Sequence, residues 1–182
     1  SGLSVRAYEQ TLTIAGVDTQ GGAFPNGYAD TLYYAAEGLA GMTADLRNAF
    51  AAKAAANPNI AGVIPVGEAF QRAVDQGVAK GSGFYGPDGT YAPALPQDPI
   101  DLWWIDYLHA SKHGSYLSAL VIFGKLSGLD PWSFGASEQA ARDLGISPGD
   151  AVRLQRIASE QLYVDGEPLQ RRPCLHASPH AA

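Results

Sequence analysis

The feature that most constrains the fold of this chain is a short apolar run followed directly by a helical pattern. Residues 60–66 (IAGVIPV) form the apolar run, and residues 67–74 then repeat apolar positions with the spacing of a helix. A short, continuously apolar run of this kind is typical of a strand that is buried on both faces. The order strand, turn, helix predicts an α/β domain.

Other segments fit such a domain. Residues 11–17 alternate apolar and polar positions, with β-branched side chains, and predict a short strand. Ser147 and Pro148 suit the N-cap and the first position of a helix, and Gly128 suits the end of another. Helices are predicted where apolar residues recur with a helical period, at residues 29–56, 114–126, 138–144 and 147–163.

The composition predicts a globular protein and excludes some partners. The chain has 182 residues, of which 46% are apolar and 16% are charged, so it is long enough to bury a core without disulfides or metals. We expect one domain over residues 1–165 and an irregular tail over residues 166–182. The net charge of −6 argues against nucleic acid, because its phosphates would be repelled. No apolar run approaches the roughly 20 residues that a membrane helix needs.

The segment most suited to carry out chemistry contains Asp106 and His109. These residues follow an aromatic pair, Trp103 and Trp104, and precede an apolar helix. A histidine works better as a general base when a carboxylate fixes its tautomer and stabilises its charged form. One turn of chain separates the two residues, so their side chains can reach the same side. The pair is also compatible with a turn residue followed by a structural histidine.

Three segments resemble the C-terminal half of the SGNH/GDSL-type serine hydrolases, an esterase superfamily. They are residues 58–70 (PNIAGVIPVGEAF), 106–111 (DYLHAS) and 114–117 (GSYL). The first resembles the strand and helix before the family's last catalytic block, and the second matches that block, D-x-x-H. A proline often follows the histidine in the family, whereas this chain has Ala110.

This resemblance implies a three-layer α/β fold of the SGNH (flavodoxin-like) type and the hydrolysis of a carboxylic ester, including acyl or acetyl esters of carbohydrates. His109 would be the general base and Asp106 would orient it, without a metal or an organic cofactor. Trp103 and Trp104 would either wall the substrate cleft or belong to the core. The expected partner is a small-molecule or carbohydrate ester, with no nucleic acid and no membrane.

The sequence departs from the family at the residues that the base should serve. The family's nucleophilic serine lies in a Gly-Asp-Ser or Gly-Asn-Ser turn after the first strand, and a glycine and an asparagine of later blocks form its oxyanion hole. None of these three residues can be placed in this sequence. The serines near the start of the chain, Ser1 and Ser4, do not follow an apolar strand. We therefore expect a fold incomplete at its N-terminus, which a homo-oligomer or an associated N-terminal segment would complete.

Two alternatives to a complete esterase stay open. The chain is also compatible with a non-catalytic binding or structural module, or with one fragment of a cleaved hydrolase. A secreted or periplasmic location is favoured over a cytoplasmic one, although the single cysteine, Cys174, does not indicate the compartment.

Other histidine, aspartate and glycine residues could suggest a metal, catalytic or phosphate-binding site, but each has a simpler interpretation. His113 follows His109 by four residues, but no glutamate lies between them as in a metalloprotease helix, so no metal site is expected. Asp98 and Asp101 are better interpreted as loop and cap residues than as a glycosidase pair. The glycine-rich residues 81–86 lack the lysine of a phosphate-binding loop.

Overall fold

Helices account for most of the chain that the computed structural model describes, which is residues 38–81, 99–103 and 109–170. Five α-helices and one 3-10 helix are present in these residues. They are α1 (Gly38–Ala55), α2 (Val66–Asp75), α3 (Lys112–Ser127), the 3-10 helix (Pro131–Phe134), α4 (Gln139–Asp143) and α5 (Pro148–Val164). Apolar side chains from α1, α2, α3, α4 and α5 and from residues 100–103 form one core.

The prediction of a three-layer α/β fold of the SGNH type is wrong. In the described residues, no sheet is formed, and extended backbone pairs only as isolated bridges. These bridges are parallel between Ala79 and Ile100, antiparallel between Trp103 and Ala110, and parallel between Leu129 and Gln170. The core is therefore held between helices rather than between a sheet and flanking helices.

The apolar run at residues 60–66 forms the connection between α1 and α2 instead of a strand. Ile60 is 37% exposed, whereas a strand buried on both faces would hide it. Pro65 has no N–H to donate to a neighbouring strand, and it lies directly before the first residue of α2. Ile64 packs against the core from this connection. The second half of the run, residues 63–66, covers part of the helical core, whereas residues 60–62 are exposed.

Helices α3 and α5 lie side by side and run in the same direction, and their contact is the most extensive between any two of these helices. Near their N-termini, Nζ of Lys112 donates to the carbonyl oxygen of Gly145 at 2.6 Å. Near their C-termini, Nζ of Lys125 donates to Oδ2 of Asp165 at 2.9 Å. Parallel neighbours need a connection that returns along the helix. The residues between them, which include the 3-10 helix and α4, provide it.

The helix ends follow local signals in the sequence. Ser147 caps α5 by accepting a hydrogen bond from the N–H of Asp150 at 3.1 Å, with Pro148 at the first helical position, as predicted. Gly128 follows α3 with a φ of 69°, and Gly145 follows α4 with a φ of 62°. Glycine adopts this left-handed conformation without steric cost, so the predicted ends of both helices are confirmed.

Helix α2 presents one apolar face to the core and ties its polar side to α5. Ala69, Phe70 and Ala73 are buried on the apolar face. On the polar side, Nε of Arg72 donates to Oε1 of Gln161 at 2.9 Å. The helix predicted at residues 67–74 is therefore confirmed, although the strand predicted before it is not.

An ion-pair network joins α1 to the ends of the other long helices. Arg47 of α1 lies 3.0 Å from Oε1 of Glu68 and 2.6 Å from Oδ1 of Asp165. Lys125 pairs with Asp165 and with Glu167. Burial acts to lower the pKa of Arg47 and of Lys125, but the hydrogen bonds and charges of these carboxylates more than offset it and raise both pKa values. Both cations therefore stay charged at neutral pH.

Some predicted elements lie outside the described residues. They are the strand predicted at residues 11–17, the first part of the helix predicted at residues 29–56, and all but the first of the glycine-rich residues 81–86. The described part of that helix, α1, continues through Gly41 without a break.

Residues 166–170, at the start of the segment predicted as an irregular tail, are attached to the fold. The N–H of Gln170 donates to the carbonyl of Gly128 at 2.7 Å, and its carbonyl accepts the N–H of Asp130 at 2.8 Å. Within the three described segments, no helix combines the length and the apolar character needed to cross a membrane.

Candidate functional site

The segment that carries His109 is anchored to the chain that precedes Asp106. Trp103 and Ala110 pair as an antiparallel bridge, and the N–H of Ser111 donates to the carbonyl of Leu102 at 2.9 Å. We call these two backbone contacts, Trp103 with Ala110 and Leu102 with Ser111, the closure. Residues 99–103 form its incoming side and residues 109–111 form its outgoing side.

Residues 99–103 also form backbone hydrogen bonds on the side away from Ala110, to the segment that follows α2. The N–H of Ile100 donates to the carbonyl of Val78 at 2.8 Å, and its carbonyl accepts the N–H of Lys80 at 2.9 Å. Ile100 and Leu102 are buried in the core. Residues 99–103 therefore lie between the end of α2 and the segment that leads into α3, which fixes where the closure sits on the fold.

His109 lies at the outgoing end of the closure with an exposed side chain. It directly precedes Ala110, which is paired with Trp103. The exposed position makes the imidazole accessible to solvent and to a solute, as a general base must be. Asp106 and Trp104 lie outside the described residues, so the pairing of Asp106 with His109 stays a prediction.

Trp103 belongs to the core. Its side chain is 2% exposed, and its ring meets the ring of Phe70 edge-on, with centroids 6.0 Å apart and an angle of 67° between the planes. Edge-to-face contact is a favoured geometry for aromatic pairs. Of the two interpretations of Trp103 that the sequence left open, this burial favours the core over the wall of a substrate cleft.

Ser111 has a role that the sequence interpretation missed. Its Oγ donates to the carbonyl of Asp101 at 2.8 Å and accepts the N–H groups of His113 and Gly114, each at 3.2 Å. It therefore caps α3 and also binds the incoming side of the closure. A serine just before an apolar helix is a recognised N-cap signal, so the capping role could have been predicted from the sequence.

Asp101 accepts a hydrogen bond from its own segment, and no helix follows it within the described residues 99–103. Its carboxylate is buried, and Oδ1 accepts the N–H of Trp103 at 2.9 Å. Because its own carbonyl accepts from Ser111, Asp101 contributes to both ends of the closure. Asp98, its possible partner in a glycosidase pair, lies outside the described residues.

His113 faces α5 rather than His109. Its Nε2 lies 3.9 Å from Oδ2 of Asp150. Burial lowers the pKa of His113, and the charge of Asp150 opposes that shift only in part. Burial acts to raise the pKa of Asp150, but hydrogen bonds from Arg153 and Ser147 lower it overall. His113 is therefore a neutral, half-buried packing residue at pH 7.

Within the described parts of the chain, no group of three or more histidine, cysteine, aspartate or glutamate side chains is arranged to hold a metal ion. Comparison of the chain with protein-family models, with curated protein sequences and with solved structures found no match. The site is therefore interpreted from its own residues.

Proposed function

We propose that this chain carries the general-base segment of an ester hydrolase, with His109 as the base and Asp106 as the residue that orients it. The observation that supports the proposal is the position of His109, which is exposed but directly adjoins the bridge between Trp103 and Ala110. A base has to meet a reacting group in a defined orientation, and a backbone anchored next to the imidazole favours that. The proposal depends on this segment and not on an α/β fold.

The chemistry follows from the general properties of imidazole. Histidine exchanges protons near neutral pH, so it can take the proton from a hydroxyl as that oxygen attacks the ester carbonyl carbon. The tetrahedral intermediate then expels the alcohol, which receives the proton back from the imidazolium, and the acyl group stays on the attacking oxygen. Water, deprotonated by the same imidazole, would then release the carboxylic acid and restore the hydroxyl. The carboxylate of Asp106 would accept a hydrogen bond from the other ring nitrogen and stabilise the charged form. The attacking hydroxyl is not assigned to a residue.

The substrate class is a carboxylic ester of a small molecule or a carbohydrate. This expectation rests on the D-x-x-H segment, residues 106–109, and on its resemblance to serine esterases. The same mechanism requires neither a metal nor an organic cofactor.

The experiment compares two histidine variants of the full chain. Hydrolysis of p-nitrophenyl acetate is measured for the unchanged protein, for His109→Ala and for His113→Ala. We expect His109→Ala to lower the rate to the level that free imidazole gives at the concentration of the three remaining histidines, and His113→Ala, whose side chain faces Asp150, to keep most of the rate. Any accessible imidazole cleaves this activated ester slowly, so the rate of the unchanged protein must also exceed that of an equal concentration of free imidazole groups. Equal rates in all three proteins would contradict the proposal.

Labelling with a fluorophosphonate separates the proposal from its alternatives. A labelled residue within the chain would identify the missing nucleophile, and its reaction should slow in His109→Ala. No labelling, together with no hydrolysis, would favour a non-catalytic binding or structural module. Labelling of a second polypeptide that copurifies with the chain would favour a fragment of a cleaved hydrolase.

A further inference from the structure

Ser111 lies two residues after His109 and directly before the first residue of α3. Its side chain contacts both the closure and the helix. Its hydroxyl hydrogen is used toward Asp101, at 2.8 Å. The lone pairs of the same oxygen accept the N–H groups of His113 and Gly114 at the first turn of α3. One side chain thus joins the incoming chain, the outgoing chain and the helix.

The position of His109 depends on these contacts through a short stretch of backbone. His109 is two residues before Ser111, and the residue between them, Ala110, is paired with Trp103. The backbone N–H of Ser111 also donates to Leu102, at 2.9 Å. Each of these bonds restricts the backbone that leads to the imidazole, and restricting a short loop at its ends removes most of its conformations.

The first turn of α3 lies directly against the closure. Its glycine at position 114 lies against the carbonyl of Leu102, and an added Cβ would overlap that oxygen and stand 3.1 Å from the Cβ of Ala110. The first turn of α3 therefore touches both backbone segments of the closure. Ser111 is the side chain that binds the helix and these segments together.

We propose that Ser111 is a positioning residue for His109: its hydroxyl fastens the backbone that carries the imidazole to Asp101 while it caps α3. The expected effect on hydrolysis rests on the proposed function, in which His109 is the base. The expected effect on the position and motion of His109 does not depend on any reaction.

Substitutions at Ser111 can separate its two functions, which are the capping of α3 and the hydrogen bond to the Asp101 carbonyl. Ser111→Ala removes both. Ser111→Asp keeps an oxygen that accepts from the helix N–H groups, which is a good N-cap, but it has no hydrogen to donate to the Asp101 carbonyl at neutral pH. Ser111→Thr keeps both functions. Ser147→Ala is the matched control, because Ser147 caps α5 in the same way and its hydroxyl donates to Asp150 instead of to the closure.

The experiment measures three properties of the full chain for each variant. They are the denaturation midpoint, the NMR signals of the His109 ring and the Ala110 methyl group, and the rate of p-nitrophenyl acetate hydrolysis. The four histidines of the chain are assigned by single substitutions to glutamine.

We expect Ser111→Ala and Ser147→Ala to lower the midpoint by similar amounts. Only Ser111→Ala and Ser111→Asp should move the His109 and Ala110 signals toward random-coil values. The same two variants should slow hydrolysis by about fivefold to tenfold, the change that one net hydrogen bond corresponds to. Ser111→Thr should restore all three properties.

Two results would overturn the inference. Unchanged His109 and Ala110 signals in Ser111→Asp would mean that Ser111 is only a helix cap. Equal movement of these signals in Ser147→Ala would mean that general loosening, and not the bond to Asp101, controls His109. If His109→Ala hydrolyses the ester as fast as the unchanged chain, the proposed function fails, but the NMR comparison still decides whether Ser111 positions the imidazole.

Discussion

Gly114 lies so close to Leu102 that a Cβ added to it would overlap the Leu102 carbonyl oxygen. That oxygen is already engaged, because it accepts the N–H of Ser111 at 2.9 Å. The contact brings the first turn of α3 against the backbone that leads toward Asp106. A glycine inside a helix usually weakens it, so its presence here reflects the space that this contact requires.

Substitution of Gly114 should therefore destabilise the protein despite the better helix propensity of alanine. For Gly114→Ala we expect a loss of about 1–3 kcal/mol, typical of an overpacked site that must shift its backbone. Gly149→Ala is the control, since Gly149 is exposed in the first turn of α5 and an added Cβ would meet only Ser147 Oγ, at 4.0 Å. It should be neutral or stabilising by up to about 1 kcal/mol. Urea denaturation of both variants checks this, and equal stabilities would contradict it.

A buried hydrogen-bond network links α3 to α5 through Tyr116 and Gln155. Nε2 of Gln155, which is fully buried, donates to the Tyr116 hydroxyl at 2.9 Å and to the Gly135 carbonyl at 3.0 Å. Burial raises the pKa of Tyr116 to about 12, and its contact with Glu138 contributes to the shift. The phenol therefore stays neutral and keeps its hydrogen at all ordinary pH values.

Tyr116→Phe should leave one hydrogen of the Gln155 amide without an acceptor in the core. We expect a cost of about 1–3 kcal/mol, the usual penalty for an unsatisfied buried donor. Tyr163→Phe makes the same chemical change at a side chain that is 77% exposed, and it should alter stability by less than about 0.5 kcal/mol. Thermal denaturation of the two variants tests the difference, which would be absent if Gln155 found another partner.

Asp165 is the carboxylate shared by the two cations of the ion-pair network. Its side chain is 9% exposed, and it accepts from Arg47 at 2.6 Å and from Lys125 at 2.9 Å. Asp165→Ala should cost about 1–2 kcal/mol, less than for a fully buried pair because both cations are partly in solvent. Asp75→Ala, at an exposed carboxylate that accepts a hydrogen bond from Gln71 of the same helix, should change stability by at most about 0.5 kcal/mol. A similar loss in both variants would show that the network adds nothing.

His113 should make the protein less stable as the pH falls below neutrality. Burial lowers its pKa in the folded protein below the ordinary value of 6.5. Between the lowered value and 6.5 the unfolded chain binds more protons, so the stability rises with pH in this window and is lost on acidification. Below the lowered value the His113 contribution no longer changes with pH.

Denaturation of the unchanged protein and of His113→Gln, measured from about pH 8 to about pH 5, tests this dependence. We expect a smaller loss of stability across that range in the variant, because glutamine does not titrate. The measurement at about pH 8 gives the effect of the substitution itself, since the imidazole is neutral there in both states. Parallel curves for the two proteins would show that His113 does not control the acid response.

The sequence predicted the helices better than it predicted the fold class, for a physical reason. Helix ends depend on local backbone chemistry, which neighbouring residues determine. Examples are the start of α5 at Ser147 and Pro148 and the end of α3 at Gly128. The run at residues 60–66 was interpreted as a strand because it is short and apolar, and a pattern alone does not tell a strand from a connection that covers the core. Its exposed Ile60 and the buried Pro65 become apparent only in three dimensions.

The residue types at positions 106 and 109 predict a base and its orienter, and this assignment stays a prediction. Of the two residues, the structure describes His109, whose side chain is exposed beside the bridge between Trp103 and Ala110. The contributions of Ser111 and Gly114 were not predicted, because both depend on the approach of Leu102 and Asp101 from another segment. Contacts of this kind are tertiary, and no local pattern in the sequence specifies them.

The parallel course of α3 and α5 has an electrostatic consequence at the edge where both helices end. A helix carries about half an elementary negative charge at its C-terminus, and in a parallel pair two such ends lie next to each other. Asp165 and Glu167 add full negative charges at the same edge. Arg47 and Lys125 therefore neutralise the dipoles of two helices as well as the carboxylates. Because Arg47 comes from α1, that helix adds a second counter-charge to the one that Lys125 supplies from α3.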